Sequence, residues 1–361
     1  MSNKIIIAVG STGGHFFPGL RIACHAREKY GIESIFLGPI KSKFQTILKA
    51  ENFPFVNLSI SQAKKNIITT IFIYYMTMVR AIVKSFIFLC RARPKLVIGM
   101  GSFGSFPACI SAYLLKVPLF LHEQNIIPGK ANKFLAKFSH KIFLAFPGSS
   151  FHPAKTLVVG NPVVKCELDL DKQNCYKKFG LDTDKKTLLI FGGSQGAFSL
   201  NTWVVNILPQ IANFKNWQVI HIAGDADCKR VKGKYINSKI HSIVLPFLFP
   251  MDCAYLISDL AIARGGALSL SELSFWGIAS LIVPYSYAKD NHQEYNAFYF
   301  QKKGGAHLLK TTDVQNGRIP KILQELLKDS NKLEQMGKKM KGIMRNDALE
   351  RICEEIYKKY Q

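Results

Sequence analysis

A strand, a glycine-rich turn and a helix follow one another twice in this chain. Apolar residues 5–9 lead into the turn GSTGGH at residues 10–15, and apolar residues 187–191 lead into GGSQGA at residues 192–197. Such a turn lets backbone N–H groups approach a phosphate, and the following helix N-terminus adds a favourable field. Neither turn has the full G-x-G-x-x-G spacing or a Walker lysine, and glycines also serve packing alone. Their equivalent positions nevertheless predict two Rossmann-like domains.

The rest of the chain alternates short apolar runs with helical stretches, which predicts parallel sheets covered by helices. A length of 361 residues suits two domains. We expect them at residues 1–163 and 164–340, joined near residues 160–172. The charged tail is predicted to be helical from Leu333 to Tyr360, and its last part, residues 341–361, either folds back on the first domain or caps the second. Strands are predicted at residues 4–9, 34–37, 96–98, 119–122, 141–144, 157–159, 187–191, 218–222, 243–245, 260–263 and 281–283, and a first helix at residues 18–30.

The positive charge of the chain is unevenly distributed. The net charge is +24, and residues 1–165 hold 21 Lys and Arg against only four acids, whereas residues 166–361 hold 27 basic and 20 acidic residues. Such a field attracts nucleic acid, phosphorylated substrates or an anionic membrane. A generally basic proteome would explain the total but not the asymmetry. A nucleic-acid-binding protein is conceivable on charge alone, but no nucleic-acid-binding motif occurs.

The eight cysteines include no C-x-x-C pair, which argues against a cysteine metal site or redox motif. The apolar run after Met1 is too short for a secretory signal. We therefore expect reduced cytosolic thiols.

Two uncharged stretches raise the question of membrane contact. Residues 96–115 contain three glycines and a proline, so we predict a strand, a glycine loop and a helix there. Residues 66–79 are too short to span a bilayer. They are rich in aromatic residues and flanked by cations, which favours a helix lying among lipid headgroups over a core helix with basic flanks. The cations are Lys64, Lys65, Arg80, Lys84, Arg91, Arg93 and Lys95.

Polar residues and a third glycine run, GMGSFG at residues 99–104, follow predicted strands of the first half. Ligands in such sheets bind beyond the carboxyl ends of strands, so the three glycine runs predict one cleft between the domains. His15 directly follows the first turn and could act as a general base or merely position the loop. The cluster HEQN at residues 122–125 contains Glu123, which could orient a base or satisfy nearby donors.

The second half offers polar groups suited to a nucleotide sugar. Residues 264–272, RGGALSLSE, follow a strand and open a helix whose start suits a diphosphate, and Glu272 could accept from ribose hydroxyls. Residues 290–293, DNHQ, together with Asn296, offer amides for sugar hydroxyls; the alternative for both segments is helix capping by Ser and Asp. D-x-D strings at residues 169–171, 182–184 and 225–227 could hold a cation on the diphosphate, but we expect surface turns. Helix N-termini would then stabilise the leaving group.

In combination, these motifs closely resemble the MurG family, the bacterial N-acetylglucosaminyltransferases of peptidoglycan synthesis. The matching segments are STGGHFFP at residues 11–18, GMG at 99–101, HEQN at 122–125, VGNPV at 159–163, GGSQGA at 192–197 and GALSLSE at 266–272. They run in order from residue 10 to about residue 297, cover most of the chain and are jointly specific.

The resemblance implies a GT-B fold, an α/β fold with two Rossmann-like, doubly wound parallel-sheet domains facing a cleft. It implies inverting transfer of N-acetylglucosamine from UDP-N-acetylglucosamine to the 4-hydroxyl of the muramyl sugar of lipid I, which forms lipid II. It also implies that there is no metal or other cofactor, and that the enzyme lies peripherally on the cytoplasmic face of the bacterial inner membrane. The first domain would hold the acceptor and meet anionic lipid, the second would bind the UDP-sugar, and nucleic acid would not be a partner.

Positions that match the family's motifs receive roles by the same resemblance. His15 is the expected general base, with Glu123 beside it as the second catalytic residue. Leu248 would read uracil with its backbone, and Glu272 would hold the ribose. The full set of expected donor contacts is Thr12, Gly13, Gly14, Asn125, Ser194, Leu248, Ala267, Leu268, Ser269, Leu270, Ser271, Glu272, Gln293 and Asn296.

The chain departs from the family pattern at two positions. Val164 stands where the family usually places an arginine that meets the donor phosphates, and neighbouring Lys165 would point the opposite way on an extended segment. Gly265 stands where the family more often has Ser or Ala. A UDP-N-acetylglucosamine 2-epimerase and a different lipid glycosyltransferase remain alternatives, because both would use the same architecture.

Overall fold

The computed structural model describes residues 4–60, 67–166, 169–194, 196–285, 291–309 and 319–360. The chain divides into two units, one formed by Met1–Val163 with Arg345–Gln361 and the other by Val164–Met344. They are called the first and second unit below. Each unit has its own parallel sheet and its own buried apolar core.

The first unit is built on seven strands. In chain order they are β1 (Lys4–Ala8), β2 (Glu33–Gly38), β3 (Phe55–Asn57), β4 (Leu96–Gly99), β5 (Leu119–Glu123), β6 (Lys141–Leu144) and β7 (Thr156–Val158). All pairs are parallel, in the spatial order β3-β2-β1-β4-β5-β6-β7. The strand order reverses between β1 and β4, where Ala8 pairs with Gly99. Ligands of doubly wound sheets bind at such a switch point, beyond the carboxyl ends of the strands.

The second unit repeats this design with six parallel strands. They are β8 (Lys186–Phe191), β9 (Trp217–Ile222), β10 (Ser242–Leu245), β11 (Leu260–Ala263), β12 (Ala279–Ile282) and β13 (Ala306–Leu308). The spatial order is β10-β9-β8-β11-β12-β13, so the switch point lies between β8 and β11, where Phe191 pairs with Ala263. The predicted α/β class with two doubly wound parallel sheets is confirmed.

Helices connect the strands and cover the sheets. The first unit contains α1 (Gly13–Tyr30), α2 (Ser42–Ala50), α3 (Ile67–Ala92), α4 (Ser102–Leu114) and α5 (Lys130–Leu135). The second unit contains α6 (Lys172–Phe179), α7 (Phe198–Asn206), α8 (Leu208–Ala212), α9 (Cys228–Ile236), α10 (Asp252–Leu256), α11 (Ala267–Trp276), α12 (His292–Lys302), α13 (Ile319–Lys328) and α14 (Ser330–Met340). A last helix, α15 (Ala348–Tyr360), belongs to the first unit, and a 3-10 turn spans Pro153–Lys155.

The carboxyl-terminal helix packs on the first helix of the chain. The rings of Tyr30 and Tyr357 stack with centroids 4.7 Å apart. Arg351 donates to the Val158 carbonyl over 3.2 Å, and Lys141 pairs with Glu355. The tail thus packs on the first unit.

Helix α1 begins five residues before the predicted start at Pro18. The Thr12 carbonyl accepts from the backbone N–H groups of His15 and Phe16 over 3.1 and 3.0 Å, so the helix already begins at Gly13. Pro18 lies inside this helix, past its first turn, and therefore does not mark the boundary. His15 therefore lies in the first turn of the helix instead of a loop before it.

The long helix α3 buries one face and exposes another. Met78, Ala81, Ser85 and Leu89, spaced by three or four residues, are buried against the unit. A 21-residue part, Phe72–Ala92, is long and apolar enough to cross a membrane, with a mean hydropathy of 1.5. Its exposed side carries Phe72, Ile73, Tyr75, Met76, Val79, Val83, Phe86 and Ile87. Lys64 and Lys65, expected to flank this segment, lie outside the described residues.

The expectation that all cysteines are reduced was wrong for one pair. Cys175 in α6 and Cys253 in α10 form a disulfide, with Cα atoms 5.1 Å apart. Both side chains are buried where the two helices pack together. The two residues are 78 positions apart, and such a tertiary pairing leaves no signal in cysteine spacing.

Candidate active site

His15 lies at the switch point of the first unit. Its Nδ1 atom is 2.7 Å from the carbonyl oxygen of Met100, which directly follows β4. A carbonyl only accepts hydrogen bonds, so Nδ1 carries the hydrogen and the lone pair of the neutral ring lies on Nε2. This tautomer is the one that a general base acting through Nε2 requires.

Glycines allow the segments around His15 to approach one another. Gly101 has φ +85°, a conformation that side chains other than glycine rarely adopt. A Cβ there would lie 3.3 Å from His15 Cε1, from Gln124 Oε1 and from Asn132 Nδ2. In contrast, a Cβ on Gly14 would meet nothing within 4 Å, so there is room for a ligand beside the start of α1.

Glu123 organises the loop that follows β5. Its side chain is buried, with Oε1 accepting from the N–H and side-chain amide of Asn125 over 3.0 and 3.3 Å. Oε2 accepts from the Gly129 N–H over 3.0 Å and from Asn132 Nδ2 over 2.8 Å. None of these four hydrogen bonds involves His15. The catalytic assignment of Glu123 stays a prediction, and its contacts favour a positioning role.

The neighbours of Glu123 in the sequence are also buried. Burial lowers the pKa of His122 to about 4, so this imidazole is neutral, and its Nε2 lies 3.3 Å from the Gly160 carbonyl. Gln124 donates from Nε2 to the Met100 carbonyl over 2.7 Å. Asn132, which binds Glu123, lies inside a predicted helical region, so sequence reasoning missed it.

The glycine turn of the second unit combines packing with open space. A Cβ on Gly196 would lie 2.6 Å from the Ala223 carbonyl, so this glycine is needed for close packing. Gly193 has φ +87°, and a Cβ added to it would meet nothing within 4 Å. This leaves space for a ligand beside it. Ser194 follows in the turn and is partly buried, and Gln195 lies outside the described residues.

The start of α11 presents backbone N–H groups rather than side chains. The first turn of a helix has N–H groups without partners inside the helix, and Ala267, Leu268 and Ser269 occupy it here. Leu270 and Ser271 are buried, and the Ser271 hydroxyl donates to the Ala267 carbonyl over 2.8 Å. Donor contacts by their side chains stay a prediction that this burial disfavours.

Glu272 is partly exposed and held by a residue that sequence reasoning missed. Tyr255 in α10 donates its hydroxyl hydrogen to Glu272 Oε2 over 2.9 Å. This bond fixes one oxygen of the carboxylate. Leu248, expected to read uracil, is partly buried in the loop after β10.

Gly265 brings α12 against the loop after β11. A Cβ on Gly265 would lie 2.2 Å from the Gln293 carbonyl, so a serine or alanine there would displace α12. Asn296 is buried and donates to the Gly265 carbonyl over 3.2 Å, while Gln293 Oε1 accepts from the Tyr285 N–H over 3.0 Å. The departure from the family pattern thus has a packing reason. Asp290 lies outside the described residues.

The D-x-D string at residues 225–227 is engaged in the fold through Asp227. Arg230 donates to both oxygens of Asp227, over 2.6 and 2.7 Å, and Asn201 donates to Oδ2 over 2.8 Å. Asp171 caps α6 through the Asn174 N–H. Among residues that the structure describes, no group of three or more His, Cys, Asp and Glu side chains is arranged to hold a metal ion. Asp227 and Asp171 are therefore engaged in contacts within the fold.

Comparisons with known proteins match both units. The model of the glycosyltransferase family 28 N-terminal domain matches residues 5–144, and that of the family 28 C-terminal domain matches residues 187–352. A UDP-N-acetylglucosamine–N-acetylmuramyl-(pentapeptide) pyrophosphoryl-undecaprenol N-acetylglucosamine transferase from Halothermothrix orenii is 33% identical over 353 residues, with 94% of each chain covered.

Solved structures with little sequence identity to this chain have the same fold. MurG from Acinetobacter baumannii superposes with a TM-score of 0.72 at 24% identity, covering 98% of this chain and 99% of that one. A UDP-GlcNAc 2-epimerase from Neisseria meningitidis, bound to UDP-GlcNAc, gives a TM-score of 0.75 at 16% identity, covering 98% and 100%. The fold is GT-B, but it does not separate transferases from epimerases. The family models and the sequence identity do, and by them the chain belongs to the MurG family of family 28 glycosyltransferases.

Proposed function

We propose that this protein transfers N-acetylglucosamine from UDP-N-acetylglucosamine to the 4-hydroxyl of the muramyl sugar of lipid I, forming lipid II with inversion at the anomeric carbon. The observation that carries the proposal is the 33% identity over 353 residues to a transferase of that name. The His15 geometry supports it, because a sugar hydroxyl must lose its proton to become a good nucleophile.

The second unit binds the donor. The first turn of α11 offers its N–H groups and the positive end of the helix dipole to the diphosphate. Open space at Gly193 admits the donor beside the turn before α7. Glu272, fixed by Tyr255, accepts from ribose hydroxyls, and the backbone at Leu248 contacts uracil. Gln293 and Asn296 set the position of α12 next to the sugar.

The first unit supplies the base and the acceptor site. His15 Nε2 takes the proton of the acceptor hydroxyl while that oxygen forms a bond to the anomeric carbon. The bond between this carbon and the diphosphate oxygen breaks, and UDP leaves with the bonding electrons. A single displacement of this kind inverts the configuration. The Met100 carbonyl, which accepts from Nδ1, stabilises the imidazolium that forms.

No metal takes part in this scheme. The charge that develops on UDP is met by helix N-termini, which act most strongly where water is excluded. Val164 places an exposed apolar side chain where related enzymes carry an arginine, so backbone donors carry more of this task here.

Helix α3 docks the first unit on the anionic membrane that carries the lipid-linked acceptor. Its exposed apolar side would enter the headgroup region, while Arg80, Lys84 and Arg91 on the same helix would meet lipid phosphates. One face of α3 is already buried against the unit, and cations interrupt the apolar sequence. Both features favour a helix lying in the membrane surface over one crossing it.

The test is transfer from labelled UDP-N-acetylglucosamine to a lipid I analogue. We expect label in the lipid product and one UDP released per sugar, with activity retained in EDTA. Formation of UDP-N-acetylmannosamine without acceptor would instead identify an epimerase. Strict dependence on added Mn²⁺ or Mg²⁺ would overturn the metal-free scheme.

A further inference from the structure

One backbone carbonyl near the base receives two side-chain hydrogen bonds. The Met100 oxygen accepts from His15 Nδ1 and from Gln124 Nε2, each over 2.7 Å. The Met100 N–H is in turn bound to the Ala8 carbonyl over 2.8 Å. Met100 is thus tied to β1 through its N–H and to Gln124 through its carbonyl.

Sheet topology explains why Gln124 reaches this carbonyl. β4 and β5 are neighbours, with Gly99 paired to Leu121, so the residues that follow the two strands lie side by side. The Gln124 backbone carbonyl accepts from Asn161 Nδ2 over 3.4 Å, and its side chain is only 3% exposed. Gln124 is therefore held by a hydrogen bond to its backbone carbonyl and by the packing around its buried side chain.

Only half of the Gln124 amide is used by the fold. Its Oε1 is buried and has no hydrogen-bond partner in the described part of the chain. An unsatisfied buried oxygen costs free energy, which an apolar side chain of the same length would avoid. The donor at Nε2 is the group that distinguishes glutamine from such a side chain.

We propose that Gln124 is a positioning residue for His15, acting through the Met100 carbonyl that both side chains share. The inference rests on the proposed function, in which His15 is the base. A carbonyl has two lone pairs, and Gln124 occupies one of them. It holds the oxygen where the Nδ1–H bond directs Nε2 towards the acceptor. It also limits how strongly the carbonyl stabilises the imidazolium, because the carbonyl oxygen is shared between two donors. The Met100 carbonyl is the orienting group that contacts the base, and Gln124 in turn orients that carbonyl.

The test compares Gln124→Met, which keeps the chain length and removes the donor, with Gln210→Met as the matched control. Gln210 in the second unit also has a buried Oε1 without a partner in the described residues. For Gln124→Met we expect kcat to fall roughly tenfold or more, the size of losing a base-orienting contact, with KM for UDP-N-acetylglucosamine unchanged. The acid limb of kcat/KM should move to higher pH, because the carbonyl then serves the imidazolium alone. Gln210→Met should resemble the wild type.

A second readout does not depend on turnover. In the wild type, nitrogen NMR of labelled histidines should show neutral His15 with its hydrogen on Nδ1. In Gln124→Met and in Gln124→Glu the His15 titration should move to higher pH, more so with the added negative charge. An unmoved titration and an unmoved acid limb, or a loss of activity equal at every pH, would overturn the proposal. Absence of transfer by the wild type would refute the proposed function while leaving the NMR result to decide this inference.

Discussion

At the scale of single residues, burial decides the protonation state of two imidazoles. Burial, with a smaller effect of nearby His15, lowers the pKa of His122 to about 4. Burial also lowers the pKa of His221 to about 3, and its ring contacts Tyr235 Oη and Asn201 Oδ1, each over 3.1 Å. Both rings are therefore neutral in the folded chain at pH 7.

This burial predicts a loss of stability in mild acid. A histidine in the unfolded chain titrates near 6.5, so between that value and its folded pKa the unfolded state binds more protons. The contribution of neutral His221 to the free energy of unfolding is fully present above pH 6.5 and is lost as the pH falls towards 3. The slope is about 1.4 kcal/mol per pH unit for each such imidazole.

Tryptophan fluorescence can follow this loss of stability in the second unit. The three tryptophans of the chain, Trp203, Trp217 and Trp276, all lie in that unit. We expect the urea midpoint of the wild type to fall from pH 7.5 to pH 5.0. His221→Gln should be less stable at pH 7.5 but should lose less between the two values. An equal loss in both proteins would show that His221 does not carry the effect.

The positions of candidate site residues were predictable where a motif stood at the end of a strand. His15 and Glu272 were singled out in this way, since a strand followed by glycines marks the ligand-binding edge of a parallel sheet, and their roles stay predictions. Tyr255 and Asn132 were not, because their hydrogen bonds to Glu272 and Glu123 depend on how separate helices pack. The engagement of both Asp227 oxygens was equally invisible in the sequence.

At the scale of elements, apolar runs located every strand except β3 and β13. Both have three residues and lie at sheet edges, and neither contains three consecutive apolar residues. The predicted helical tail is divided into α14 and α15, with Gly342 at φ +86° between them. A glycine in this conformation ends regular helical geometry.

Helix α3 leads to a prediction about membrane binding. Phe72 and Val83 are 64% and 52% exposed, and burying each in lipid should contribute about 1.5–3 kcal/mol. We expect the double variant Phe72→Ser with Val83→Ser to bind phosphatidylglycerol vesicles at least about tenfold more weakly in sedimentation. High salt should also weaken vesicle binding by the wild type, because the basic side chains of α3 contribute to its attraction to anionic lipid.

The matched control is Ile236→Ser, which removes an apolar side chain that is 76% exposed on the second unit. Its vesicle binding should equal that of the wild type. This prediction would be contradicted if the control and the α3 variant lost vesicle binding alike, or if uncharged vesicles bound as tightly as anionic ones. Helix α3 would then not be the surface that binds anionic membranes.

At the scale of the whole molecule, the same doubly wound design occurs twice. Each unit has its glycine turn at the switch point of its own sheet, after β1 in the first and after β8 in the second. The repeated sequence pattern predicted this duplication, because parallel sheets follow from alternating strands and helices. It did not predict the bond between Cys175 and Cys253, which depends on tertiary packing alone.

The central claim is that the base lies in the first unit and donor recognition in the second. The most direct test measures both kcat and the dissociation constant for UDP-N-acetylglucosamine in His15→Ala and Glu272→Ala. We predict that His15→Ala lowers kcat roughly a hundredfold or more without changing donor affinity. Glu272→Ala should weaken donor binding about tenfold or more, as expected for a lost hydrogen bond to a charged group. Near-normal turnover in His15→Ala, or an equal loss of donor affinity in both variants, would contradict this division of tasks.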